Sequence, residues 1–157
     1  MDPFLDSTDI ADNGLELRKR MERDGYLFIR GLMPADKLES LRLQLLEIAC
    51  DEGWVKKDAP LDEAIADLNG FCIEPEPKYN EVYLQMYKLQ DFQAIYHHPD
   101  LIALFERLLG DTILLHPSVI GRTIFPQRNA FTTPAHQDFI PIQGTPDTYT
   151  AWIPLSD

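Results

Sequence analysis

Gly110-Asp-Thr-Ile-Leu-Leu-His-Pro-Ser-Val-Ile-Gly-Arg-Thr-Ile-Phe125 divides the chain into two kinds of sequence. Before Gly110 the apolar residues recur at steps of three and four. After it they fall into short β-rich runs, at 113–125, 135–142 and 149–155, with the turn-forming Gln143-Gly-Thr-Pro-Asp147 between the last two. On the N-terminal side, Gly14 to Arg23 reads as a charged helix ended by Asp24-Gly25, and Tyr26 to Arg30 as a β-type run closed by Gly31. From Pro34 to about Glu52, Leu38, Leu41, Leu45 and Ile48 form one apolar stripe, with Pro34 in the first turn and Gly53 as the stop. Tyr79 to Tyr96 and Pro99 to Leu109 read as two helices joined at His97-His98-Pro99-Asp100, with His98 at the N-cap. Between them and the earlier helix, Trp54 to Pro77 is a long loop with a helical turn expected at Glu63 to Leu68; such a loop serves either as a lid or as a surface excursion. Helices first and strands afterwards predict an α+β class in a single domain, 1–157. Residues 1–110 would form a helical layer and residues 111–157 a partial antiparallel β-sandwich.

The 157 residues suffice for a sizeable core, and 45% hydrophobic with 25% charged residues is a globular composition. No apolar run reaches the roughly 20 residues of a membrane span, and the N-terminus lacks a secretion signal, so a cytoplasmic location without membrane is expected. The net charge of −12 leaves no basic excess to neutralise phosphates, which argues against nucleic acid as a partner. Cys50 and Cys72 are too few for a disulfide framework, and neither has a cysteine neighbour at metal-site spacing.

The chemistry-bearing stretch is Thr133-Pro-Ala-His-Gln-Asp138, followed by Tyr149-Thr-Ala-Trp-Ile-Pro-Leu155. A neutral imidazole and a carboxylate two residues apart suit Fe(II): they supply two adjacent ligands of a facial triad and leave positions open for cosubstrate and oxygen. A surface histidine paired with an aspartate in a turn has the same spacing. Short motifs of this kind also arise by chance, so the spacing leaves both readings open.

Several separated motifs bear on that choice. Gly25-Tyr-Leu-Phe-Ile-Arg-Gly31 with the helix from Pro34, Lys88-Leu-Gln-Asp-Phe92, the helix end Leu108-Leu-Gly110, His136-Gln-Asp138 and Ala151-Trp152 occur in the order found in the phytanoyl-CoA dioxygenase family. From about Asp24 to its last residue the chain resembles that family of Fe(II)- and 2-oxoglutarate-dependent oxygenases. The resemblance implies a jelly-roll (double-stranded β-helix) core, of which residues 111–157 would be the first strands, incomplete at the C-terminus. It implies that His136 and Asp138 bind iron, and that Lys88, Gln137 and Trp152 line the 2-oxoglutarate pocket, with Ser118 at a further, less well matched position. Fe(II) would be the cofactor and 2-oxoglutarate the cosubstrate, with ascorbate as an additive in vitro. The implied reaction hydroxylates a small organic substrate while 2-oxoglutarate becomes succinate and CO2, and the carboxylate of Asp138 favours hydroxylation over halogenation.

The chain departs from the family pattern in one respect. The family's second histidine ligand and its cosubstrate-pairing arginine follow the tryptophan, whereas residues 139–157 hold no His, Lys or Arg. His116 lies on another run, at a place the family does not use for iron. The expectation is therefore the N-terminal portion of a longer oxygenase, inactive as the 157-residue chain alone, with an open sheet edge that would favour self-association. A truncated, non-catalytic relative serving as a binding or assembly module is the alternative, and a cupin-like metal protein of other chemistry a third. No sequence feature names the substrate; the loop 54–77 carries no basic signature for an acyl-CoA.

Overall fold

The computed structural model describes residues 3–70, 72, 74, 76–126, 136–145 and 147–156. It forms two compact units, each built from two stretches of chain: Met1–Leu38 with Gln90–Pro117, and Glu39–Leu89 with Ser118–Asp157.

In the first unit, α1 (Gly14–Asp24) packs on α5 (Pro99–Leu109). Both helices start and stop on local signals. The Asn13 side chain accepts the Glu16 N–H at 3.3 Å, and Gly25, at φ 76°, returns its N–H to the Met21 carbonyl at 2.8 Å. That left-handed conformation is one only glycine adopts without a steric penalty, so the helix ends there. As expected, His98 caps α5; its ring nitrogen accepts the Asp100 N–H ahead of the first-turn Pro99. Leu17 is sealed against Leu104 and Leu108, with Met21, Leu27, Ile29, Leu32 and Phe105 around them. The helices approach so closely at Gly14 that a Cβ there would lie 2.4 Å from the Arg107 carbonyl oxygen. Arg18 donates to the carbonyls of Arg107 and Leu108 at 3.1 and 3.2 Å, satisfying acceptors that the end of α5 leaves without partners. The short α4 (Gln90–Ile95) belongs to the same unit.

The second unit is organised around α2 (Ala35–Asp51, which enters it from Glu39) and α3 (Pro77–Tyr87). Its core joins Ala49, Trp54, Val55, Cys72, Tyr79, Val82, Met86 and Phe125. The Trp54 indole stacks on Tyr79, with centroids 5.5 Å apart, and meets the edge of Phe125 at 5.5 Å. The loop after α2 turns back on itself through an antiparallel bridge between Val55 and Ala66, and its one helical turn falls at Leu61–Glu63, earlier than expected. The helix expected over 79–96 is broken after Tyr87. Lys88 and Leu89 turn their N–H groups to the carbonyls three residues back, at Gln85 and Met86, which closes α3 before α4 begins.

The β-rich reading of the C-terminal third fails. No strand forms among the described residues, and the two isolated bridges, Asp6 with Phe28 and Val55 with Ala66, lie outside 111–157. The α+β class with a partial jelly-roll core is therefore incorrect for this structure, and so is the open sheet edge inferred from it. Part of the run expected as a strand over 135–142 is instead the four-residue helix α6 (Phe139–Ile142); Ala135 lies outside the described residues. The physical reason is that alternation sets only which way successive side chains point. A strand also needs a neighbour to take its N–H and C=O groups. In the segment Ser118–Phe125 a side chain does part of that work: the Tyr83 hydroxyl donates to the Val119 carbonyl at 3.0 Å. Phe125 is thereby drawn into the core, while Ile120 and Ile124 stay 69% exposed, where a sheet core would have covered them. Among the described residues no helix is long and apolar enough to cross a membrane.

Candidate metal centre

His136 and Asp138 lie in the second unit, immediately before α6. The helix starts from this corner: the Ile142 N–H bonds the Asp138 carbonyl at 3.0 Å, and the Ile140 N–H bonds the Gln137 carbonyl at 3.2 Å. The turn brings the two side chains together on one side, with His136 Nε2 3.1 Å from Asp138 Oδ1. The other carboxylate oxygen, Oδ2, accepts a hydrogen bond from the Thr150 hydroxyl. The side chains of His136 and Asp138 are 47% and 31% exposed, so the pair is reachable from solvent.

This geometry fits the first part of a metal site. Two donors about 2.1 Å from a six-coordinate cation and at right angles to each other lie about 3.0 Å apart, close to the observed separation. A direct hydrogen bond between Nε2 and the carboxylate has the same spacing. The donor set of one imidazole and one carboxylate suits Fe(II). Among the described residues, no group of three His, Cys, Asp or Glu side chains is placed to hold a metal ion.

The other candidates are more dispersed. Gln137 is exposed between the pair. Lys88 follows the end of α3 and is exposed, as is Ser118 at the start of the extended segment. Trp152 is 76% exposed and lies two residues beyond Thr150. Among the described residues no hydrogen bond or ion pair joins Lys88 or Trp152 to His136 and Asp138. A shallow depression of about 500 Å³ belongs to the first unit; Gly14, Arg18, Ala103, Glu106, Arg107 and Gly110 line it, and it contains none of the candidates. Thr133 and Pro134, which flank the motif in sequence, lie outside the described residues. Thr150 is the residue that sequence reasoning missed. Nothing in Tyr149-Thr-Ala-Trp152 distinguishes its hydroxyl from that of any other strand-like threonine, and its contact spans twelve positions.

Two curated relatives align with nearly the whole chain. It is 27% identical over 160 aligned positions to 1-deoxypentalenic acid 11-beta-hydroxylase of Streptomyces exfoliatus, covering 97% of this chain and 52% of that protein. It is 25% identical over 157 positions to the protein of the same name from Streptomyces arenae, with the same coverage. The chain is similar to hydroxylases of an organic acid. It spans about half the length of the relatives it matches. No protein-family profile matches the chain. No solved structure matches it either.

Proposed function

We propose that this chain carries the His-x-Asp half of the metal centre of an Fe(II)- and 2-oxoglutarate-dependent hydroxylase acting on a small organic substrate. The observation that supports this best is the 3.1 Å approach of His136 Nε2 to Asp138 Oδ1, at the spacing adjacent ligands of one cation would have. The similarity to two proteins named as hydroxylases supports the reaction class. An iron held there would supply the oxidative chemistry that couples turnover of 2-oxoglutarate and O2 to hydroxylation. The residues would contribute as follows: His136 and Asp138 hold the cation, Lys88 balances a carboxylate of the cosubstrate, and Gln137, Trp152 and Ser118 line its pocket. Membership of the phytanoyl-CoA dioxygenase family is the finer form of this reading and rests on the ordered motifs alone. The relatives' names point to an organic acid as the class of substrate.

Titration with Mn(II), an air-stable stand-in for Fe(II), followed by the loss of its free-ion electron paramagnetic resonance signal, tests the metal site. Binding should be weak, because only two strong donors are brought together among the described residues, and should disappear in His136→Ala and in Asp138→Ala. Equal binding by the wild type and both variants would overturn the assignment.

A second reading is a non-catalytic binding or assembly module. It is favoured by the lack of a third ligand among the described residues. A wild-type chain that takes up no Mn(II) at any concentration would select it.

A further inference from the structure

The hydroxyl of Thr150 donates to Asp138 Oδ2, while Asp138 Oδ1 faces His136 Nε2. We propose that Thr150 is a positioning residue of the metal centre. It acts through Asp138, occupying one carboxylate oxygen so that the other is the one presented to the cation. This rests on the metal-site reading above and extends it to a residue outside the ligand motif.

A carboxylate has two equivalent oxygens and about four lone-pair directions, and a partly exposed one turns freely about its last bond. Asp138 is partly exposed, and among the described residues the main-chain contact that α6 makes to it, from the Ile142 N–H, goes to its carbonyl. Left alone it would offer either oxygen, or both, to a cation. With Oδ2 engaged by Thr150, only Oδ1 remains on the side of His136, which favours one-oxygen coordination next to the imidazole. Hydrogen bonds that orient a ligating carboxylate in this way typically change metal affinity about 10- to 100-fold when removed. The residue type suits the task. A β-branched side chain is stiff about its first torsion, so the hydroxyl of a threonine is better fixed than that of a serine on a stretch that belongs to no helix. The same bond closes the excursion between α6 and Tyr149, so a purely structural role must be separated from a positioning one.

The separating experiment uses the 157-residue chain with Thr150→Val, which keeps the shape and removes the hydroxyl, and Thr150→Ser, which keeps the hydroxyl. Two readouts are taken: the Mn(II) dissociation constant, and the visible absorption of bound Co(II), whose intensity reports coordination number. Thr150→Val should weaken Mn(II) binding by about ten-fold and alter the Co(II) spectrum as the carboxylate becomes free to bind through both oxygens. Thr150→Ser should restore the wild-type spectrum and most of the affinity. The proposal is overturned if Thr150→Val binds Mn(II) like the wild type with an unchanged Co(II) spectrum, or if Thr150→Ser is as impaired as Thr150→Val. If His136→Ala binds metal like the wild type, the metal-site reading itself falls and takes the role of Thr150 with it. If His136→Ala abolishes binding while Thr150→Val does not affect it, only the role of Thr150 falls.

Discussion

Replacing Trp54 by alanine should remove most of the stability of the second unit. The indole is 2% exposed, stacked on Tyr79 and in edge contact with Phe125, and its main chain is held on both sides by the Ala49 carbonyl and the Asp67 N–H. Truncation removes roughly 200 Å² of buried surface, about 5 kcal/mol at 25 cal/mol per Å². Residual compactness of the unfolded chain lowers that by roughly 10–40%. The two lost ring pairs add about 0.5–1.5 kcal/mol each. These terms sum to about 4–7.5 kcal/mol, and because buried aromatics cut to alanine usually cost about 3–5 kcal/mol, the lower end, about 4 kcal/mol, is the expected loss. Because whole domains are stable by only about 5–15 kcal/mol, the milder Trp54→Phe, with an expected loss of about 1–2 kcal/mol, provides a second point on the same scale. The assay is urea denaturation followed by far-ultraviolet circular dichroism. With a slope of roughly 2 kcal/mol per molar urea, Trp54→Ala should lower the midpoint by about 2 M. Trp152→Phe is the control: at 76% exposure it should leave stability within about 0.5 kcal/mol of the wild type. Equal midpoints for Trp54→Ala and Trp152→Phe would refute the assignment of Trp54 as the centre of this core.

Three further outcomes are expected. Gly14→Ala should destabilise the first unit by about 1–2 kcal/mol despite the better helix propensity of alanine, because the new Cβ meets the Arg107 carbonyl; a raised melting temperature would refute the close crossing. Burial pushes the phenols of Tyr79 and Tyr83 up, so the unfolded chain releases those protons near pH 10 while the folded chain still holds them. Their contribution is therefore fully present below about pH 10 and is lost as the pH rises beyond it; the double variant Tyr79→Phe/Tyr83→Phe should flatten that alkaline limb of the urea midpoint, and an unchanged limb counts against it. With Fe(II), ascorbate and 2-oxoglutarate in air, the 157-residue chain by itself should release no succinate, since only two of the three ligands are assembled among the described residues; stoichiometric succinate would mean that the site is completed from elsewhere.

The helices show where the amino-acid order suffices. Gly25 and Gly110 end α1 and α5, His98 and Pro99 start α5, and the Leu38–Ile48 stripe outlines α2, because a helix bonds residues only four apart and its stop signals sit beside its ends. Lys88 shows the limit of such signals: it lies inside an unbroken apolar pattern, yet the chain turns there. The pairing of His136 with Asp138 was also legible, since two positions along a turn bring the side chains within reach of each other whatever surrounds them. The C-terminal third was not. Ile113 to Phe125 has the composition of strands, but strands exist only where a distant segment accepts their hydrogen bonds, and here the hydroxyl of Tyr83 holds part of that main chain from a helix residue 36 positions away. The bond from Thr150 to Asp138 was equally invisible, for it depends on how the chain returns after α6. Local bonds are written in neighbouring residues, whereas partners far apart in sequence meet only when the tertiary fold has chosen them.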